Sequence, residues 1–357
     1  MNQNRLRQVI ANMKGQGLEQ IVVSATASVY YLTGIWVSPM ERMLALYITT
    51  EGQCTLYANE LFGIEPQPGM ELVLHSDSDE PTAQLARQLR PGKLGVDKFW
   101  PSKFLIALLE ARSDITPVMG SGPVDDARMF KDEEERQAMR RASQLNDRVV
   151  RAAIDAIGQG AKETEIAQLV ETMYSQNGGN RTEGMIVSFG AHGADPHHSP
   201  SDVAIQPGDS VVLDLFAPIQ RYWCDMTRTV FYQSVTDEQR RVYETVLRAN
   251  EEAEKMIRPG VPLCEVDRTA RRIIEEAGYG PYFTHRLGHG CGLECHEPPD
   301  NSDVSQAKAL PGMVFSVEPG IYLPGRFGVR IEDLVLVTEE GCEILNKAPK
   351  ELEIVGK

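Results

Sequence analysis

Two kinds of apolar pattern divide the chain. Over roughly the first 120 residues, apolar runs of strand length (QIVVSA, MLALYIT, CTLYAN, KLGVD) alternate with stretches whose apolar positions recur at helical spacing. The helical stretches are the opening segment, one near PTAQLARQLR and one near KFLIALLEAR. Such alternation predicts an α/β domain. At 119–128, MGSGPVDDAR gathers Gly, Ser, Pro and Asp without apolar periodicity and reads as a connection. The expected division is therefore residues 1–125 and 126–357.

Beyond it, KDEEERQAMRRASQLNDRVVRAAIDAI predicts a long amphipathic helix, opened by acidic residues that suit the positive end of its dipole. Two more helices are expected near TDEQRRVYETVLRANEEAEKMI and CEVDRTARRIIEEAG. The strand candidates are GMIVSF, DSVVLDLF, YWCDMTRTVF, GMVFSVE and VRIEDLVLV. Helices in blocks and strands in adjacent runs point to an α+β domain with a largely antiparallel sheet.

Charge and composition narrow the function classes. With 36 Lys+Arg against 51 Asp+Glu, the formal charge of -15 opposes binding to nucleic acid or an anionic membrane surface. The N-terminus lacks the apolar core of a secretory signal, and no uncharged apolar run could span a bilayer, so a cytoplasmic protein is expected. The six cysteines are too few and too scattered for a disulfide framework and are expected to be reduced.

Acidic residues interrupt the apolar strands. Asp214 lies in VVLDLF, Asp225 in YWCDMTRT, Glu318 in FSVEPG and Glu332 in VRIEDLVLV. Burying each charge costs several kcal/mol, of order 3–5, unless something compensates it. Any one of them could pair with Arg228, Arg330 or a backbone amide. Four together, with a histidine in a glycine-flanked turn, are explained more economically by a shared metal centre of carboxylates and imidazole. The turn candidate APIQR would let Asp214 and Asp225 face one another across a hairpin. The stretch GHGCGLECHE also offers Cys291 and Cys295 beside His289 and His296, a second possible donor set.

The ordered set Asp214, Asp225, His289, Glu318 and Glu332, within DLFAPIQRYWCDMTRT, GHGCGLECHE, VEPGIY and GVRIED, resembles the pita-bread metallopeptidase family. That family comprises methionine aminopeptidase, aminopeptidase P and Xaa-Pro dipeptidase. The resemblance implies a C-terminal pita-bread catalytic domain behind an N-terminal creatinase-type α/β domain. It implies two divalent ions, Mn2+ first, with Co2+, Zn2+ or Fe2+ as alternatives. Asp214 would chelate one ion, Asp225 and Glu332 would bridge both, and His289 with Glu318 would complete the second. Glu318 would shuttle the proton, His197 and His296 would bind substrate, and Thr227 and Arg228 would orient the carboxylates. His289 would then be the ligand and the cysteines bystanders. Where the family has Gly two residues after the first aspartate, this chain has Phe216.

The remaining candidates are expected in lesser roles. His192 and His198 read as surface loop residues, His75 as solvated, His285 as structural near the site, and Glu294 and Glu297 as solvated or hydrogen-bonding groups. Length with an N-terminal domain favours the proline-specific branch: an Xaa-Pro dipeptidase, or an aminopeptidase P acting on longer peptides. A metal-free creatinase-type C–N hydrolase and a non-catalytic binding protein share the fold but need no such ligand set. A dipeptidase must hold a free carboxylate. HEPPDNSD offers Asp300 where a cation would help, which leaves Arg42 in SPMERM, reaching a neighbouring subunit's site in a homodimer, as the candidate; its alternative is a surface pair with Glu41 or another carboxylate.

Overall fold

Runs such as QIVV and ALYIT have no polar face to offer water, so they are stable only with both faces covered. In the computed structural model, which describes residues 1–179 and 184–356, they form central strands of a mixed sheet in the first of two units, Met1–Arg128. This unit runs α1 (Gln3–Gly15), β1 (Gln20–Val23), α2 (Thr26–Thr33), β2 (Ala45–Thr49), β3 (Cys54–Asn59), β4 (Glu71–His75), α3 (Pro81–Gln88), β5 (Gly92–Val96), α4 (Ser102–Ala111), β6 (Ile115–Met119) and α5 (Gly122–Met129). The sheet order is β4-β3-β2-β1-β5-β6. The sequence pattern did not reveal β4 and β6, for one physical reason. They are the sheet's edges, largely exposed, and Pro117 in β6 is a residue that edges tolerate.

Two expectations in this unit are corrected. The stretch read as a connection is largely helix α5, with Pro123 in its first turn, where a missing N–H costs nothing. His75, expected in solvent, is buried, with Nε2 3.1 Å from the Met43 carbonyl oxygen.

The second unit, Met129–Lys357, runs α6 (Glu133–Asp155), α7 (Glu163–Gln176), β7 (Ile186–Phe189), β8 (Ser210–Ile219), β9 (Tyr222–Tyr232), α8 (Asp237–Met256), α9 (Leu263–Glu276), β10 (Gly288–Gly290), β11 (Glu297–Asn301), β12 (Val314–Val317), β13 (Gly320–Leu323), β14 (Phe327–Arg330), β15 (Asp333–Val337), β16 (Cys342–Ile344) and β17 (Ile354–Val355). Asp132 and Glu135 close a reciprocal capping box on α6, so its acidic start stabilises the helix twice, by dipole and by hydrogen bond. The segment VRIEDLVLV, expected as one strand, is two: β14 pairs with β13, β15 with β12, and Ile331–Glu332 lies between them.

Two cores follow from this layout. Helices α6 and α7 pack on the sheet β17-β9-β8-β7 through Leu213, Leu215, Cys224 and Met226. Helices α8 and α9 pack against β12, β14 and β15 through Phe315, Val317, Val329 and Val335. Because strand side chains alternate, Asp214 and Phe216 of β8, with Asp225 and Thr227 of β9, point away from the α6–α7 core. No helix among the described residues is long and apolar enough to cross a membrane.

One buried ion pair lies outside these cores. Lys131 Nζ meets Glu297 Oε1 at 2.7 Å, with the side chains only 1% and 3% exposed. Removing one partner leaves a charge buried without compensation. Lys131→Met is expected to lower stability by about 3–5 kcal/mol in urea denaturation, and Lys131→Met/Glu297→Leu to regain most of that loss. A double variant no more stable than the single one would show that the pair is not what holds this region.

Candidate metal centre and cavity

The β8–β9 hairpin is closed by Gln220 and Arg221, both at positive φ (50° and 82°), between the paired residues Ile219 and Tyr222. This two-residue turn fixes the register: Asp214 lies opposite Thr227, and Phe216 opposite Asp225. The two aspartates are thus diagonal neighbours on one face rather than directly opposed. Asp214 Oδ2 takes Arg330 Nη2 at 2.5 Å, while its Oδ1 is buried with no hydrogen-bond partner among the described residues.

His289 comes from β10, held between β11 and β12. Its flanking glycines are required by close approach. A Cβ on Gly288 would lie 2.0 Å from the Ser316 carbonyl oxygen, and one on Gly290 2.3 Å from those of Glu297 and Pro298. The imidazole Nδ1 sits 3.1 Å from the Gly290 carbonyl oxygen, which assigns the proton to Nδ1 and a lone pair to Nε2. That lone pair faces Glu318 Oε1 at 3.4 Å and Asp225 Oδ2 at 3.7 Å.

Glu318 follows β12, and Glu332 precedes β15. Ser316 Oγ accepts the His289 main-chain N–H and donates to Glu318 Oε1, both at 3.0 Å. Thr227 Oγ1 donates to Glu332 Oε2 at 2.7 Å and accepts from Arg330 Nε at 3.1 Å. Arg330 also donates to the Tyr322 hydroxyl at 2.8 Å. Arg228, expected to orient the carboxylates beside Thr227, touches none of the cluster's carboxyl groups. It lies on the other face of β9 and donates to the Glu332 carbonyl oxygen and to Asp333 Oδ1, both at 2.7 Å. Strand alternation gives the task at the carboxylates to Arg330 instead.

Burial pushes Asp225 and Glu332 well above the ordinary carboxylate range, and the neighbouring acids add to it. Glu318 is raised for the same first reason. Asp225, His289 and Glu332 each present a donor atom, all within 4.8 Å of one another. Hard oxygens with one imidazole, an orphaned carboxylate oxygen and repelling buried acids are what a divalent cation of the manganese-to-zinc series would satisfy. The donor set therefore fits a metal.

Around this cluster lies a cavity of about 390 Å3, lined also by Ile186, His197, Phe216, His285, Arg286, Cys295 and His296. The His296 ring lies 4.1 Å from that of His289, centroid to centroid. Burial lowers the pKa of each to about 4. His285 accepts from the Tyr322 hydroxyl at Nε2 (2.8 Å) and donates from Nδ1 to the Arg286 carbonyl oxygen (2.7 Å). Arg286 pairs with Asp300 at 2.6 Å. Cys295 directs its thiol at Asp225 Oδ2 (3.4 Å), and Cys291 directs its own at the Trp223 carbonyl oxygen (3.7 Å). Phe216, where the family has Gly, keeps β8 regular and adds an aromatic wall backed by Trp223.

His192 and His198 are not loose surface residues. They stack at 4.1 Å and each reaches a separate oxygen of the fully buried Glu163, at 2.9 Å, where the Phe189 and Ser201 main-chain N–H groups also donate. Two adjacent rings, tilted by 31° and each aimed at its own carboxylate oxygen, make this a hydrogen-bonded anchor for the loop that carries His197. Glu163 escaped sequence reasoning because it stands at the start of α7, ahead of the apolar stripe Ile166, Val170 and Tyr174, and its partners come from a loop distant in the chain. Arg286 and Tyr322 escaped it too, since nothing local marks them. In the first unit, Arg42 makes a bidentate pair with Asp77 (2.8 Å twice) and meets Glu41 at 2.8 Å.

The model of metallopeptidase family M24 matches residues 137–339, and that of the creatinase/prolidase N-terminal domain residues 5–130. An uncharacterized peptidase of Staphylococcus aureus is 34% identical over 354 residues, covering 97% of this chain and 99% of its own. Among solved structures, a prolidase from Thermococcus sibiricus superposes with a TM-score of 0.92 at 34% identity, covering 99% of each chain. An X-Pro aminopeptidase from Thermotoga maritima superposes at 0.85 and 30% identity, covering 98% and 99%. The buried acids of the β8–β9 hairpin and of the β12 and β15 ends thus sit in a fold and a sequence shared along the whole chain, which belongs to metallopeptidase family M24 and carries that family's pita-bread fold behind a creatinase-type N-terminal domain.

Proposed function

We propose that the chain is a dinuclear Xaa-Pro dipeptidase, with manganese as the first choice of metal. The observation that carries this reading is the crowding of Asp225 and Glu332, buried and raised together, beside the unpartnered oxygen of Asp214. Asp214, Asp225, His289, Glu318 and Glu332 would hold the two ions between them. When bound, such a pair supplies Lewis acidity and a water that ionises near neutral pH.

The chain's own residues would do the rest. Glu318, its Oε1 oriented by Ser316, takes the proton of the attacking water and hands it to the leaving amine. His296, neutral at pH 7 because burial depresses its pKa, donates an N–H without adding net charge. His197, on the loop anchored by Glu163, lines the same cavity and offers a second hydrogen bond to the substrate. The cavity's size suits a dipeptide. Arg286 at its wall, paired with the half-exposed Asp300, can exchange that partner for a substrate carboxylate. The similarity to a prolidase structure supports the same reading. The second reading, an aminopeptidase acting on longer peptides, is favoured by the commitment of Arg42 to Asp77 and by the Thermotoga maritima neighbour.

Three outcomes are expected. Asp225→Asn should lose metal and Xaa-Pro dipeptidase activity together, both restored by neither manganese nor cobalt; full metal occupancy by elemental analysis, with activity kept, would remove Asp225 from the site.

The second concerns pH. In the metal-free protein, His289 and His296 are held at about 4, against an unfolded value near ~6.5. Their contribution to stability is complete above the unfolded value and is lost as pH falls toward the folded one. The raised carboxylates act in the opposite sense, stabilising the metal-free fold at low pH and weakening it as pH rises. Ring-proton NMR titration should give midpoints near 4 for both imidazoles, and an ordinary midpoint for His296 would contradict its buried, neutral role.

The third separates substrates. Arg286→Ala should raise KM for Xaa-Pro dipeptides by roughly tenfold to a hundredfold, the scale of ~1.5–3 kcal/mol for a charge-assisted bond, with tripeptides less affected. If Arg42→Ala does this instead, the carboxylate is bound by the N-terminal unit. Equal effects on both substrate lengths in both variants would favour the aminopeptidase.

A further inference from the structure

The ladder between β12 and β15 opens at the metal centre. Val317, the last residue of β12, pairs with Asp333, the first of β15, and the next residues inward are Glu318 and Glu332. Their main-chain N–H groups go elsewhere: Glu318 to the Leu287 carbonyl oxygen at 2.8 Å, Glu332 to that of Thr227 at 3.1 Å. The two glutamates therefore ride on strands that part where the carboxylates must converge.

Into this fork projects Asn250 of α8. It lies on the helix face formed by Val242, Val246, Ala249 and Ala253, where an apolar residue would be expected, and it is fully buried. Its Nδ2 donates to the carbonyl oxygens of Val317 (2.9 Å) and Ile331 (3.4 Å), the residues immediately before Glu318 and Glu332. The orientation of the amide is determined. Lys350 has only donors to offer and meets Oδ1 at 2.8 Å, so the NH2 group must face the two carbonyls. Lys350 is itself held by Glu254 Oε2 at 2.8 Å and Asp333 Oδ2 at 2.9 Å. From the far side, Arg228 binds the Glu332 carbonyl oxygen and Asp333.

We propose that Asn250 is a positioning residue whose amide sets the separation of Glu318 and Glu332, and with it the affinity and coordination geometry of the bound cations. The proposal rests on the metal-centre reading above. A buried amide that bridges two peptide groups, each one residue from a carboxylate of the cluster, ties α8 to the cluster without touching substrate or metal. Groups that hold ligands from behind typically govern metal affinity by about 10–100-fold.

The test is cobalt titration of the metal-free protein, followed by calorimetry and by the visible d–d absorption. Asn250→Asp is nearly isosteric and keeps a partner for Lys350, but removes both donors to the fork. Wild type is expected to bind two ions; the variant should bind at least one of them about 10–100-fold more weakly, with an altered absorption band. A merely structural role would lower the melting temperature of the metal-free variant and leave cobalt affinity and spectrum unchanged, which would overturn the proposal. A wild type that binds no pair of ions would overturn the metal-centre reading and this proposal with it. Should Asn250→Asp fail to fold, Lys350→Met keeps the amide but releases it. Weaker cobalt binding and a changed spectrum are expected there too, and unchanged values would overturn the proposal.

Discussion

Carboxylates buried side by side repel one another, and most of the second unit's polar architecture is a response to that fact. Asp225, Glu318 and Glu332 lie within a few ångströms of His289, and Asp214 stands beside Arg330. A single guanidinium cannot neutralise four acids, so the fold leaves a charge deficit that protons or added cations must relieve. The hydroxyls of Thr227 and Ser316 then have a clear task. Each donates to one carboxylate oxygen, Thr227 to Glu332 Oε2 and Ser316 to Glu318 Oε1, the oxygen that also faces His289 Nε2.

The backbone serves the same constraint. Gly288 and Gly290 let β10 slide between its neighbours at distances no side chain would permit, which brings the imidazole down to the acids. The β12–β15 ladder stops just as it reaches the cluster, freeing Glu318 and Glu332 to turn inward, and α8 supplies the amide that spans the gap. Helices α6 and α8 thus do more than cover apolar sheets: α6 packs on the hairpin that bears the aspartates, and α8 holds the strands that bear the glutamates.

Much of this was legible in the sequence because acids inside apolar strands are conspicuous, and because their order and flanks resemble a known family. The long helices α6, α8 and α9 were legible for a related reason, a polar–apolar alternation that their amphipathic burial demands. What escaped was set by partners distant in the chain. His75 could be known as buried only through Met43, and His192 and His198 only through Glu163. Arg228 and Arg330 looked interchangeable until strand alternation and the break at Ile331–Glu332 sent them to opposite sides of the acids. The edge strands β4 and β6 left little trace because exposed edges need little apolar surface.

The tight turn at Gln220–Arg221 has a consequence for how this protein can change. Every pair in the hairpin from Ser210 to Phe231 is counted from that turn, and Asp225 is only three residues beyond Tyr222. One residue inserted between the turn and Asp225 would rotate the aspartate to the side facing α6, exchanging it with Cys224 or Met226. Two would return it to the inner side but slide it past Phe216. Loop length, usually the freest variable in a lineage, is here locked to the placement of Asp225, and the positive φ of Gln220 and Arg221 restricts the turn to residues that accept a left-handed backbone.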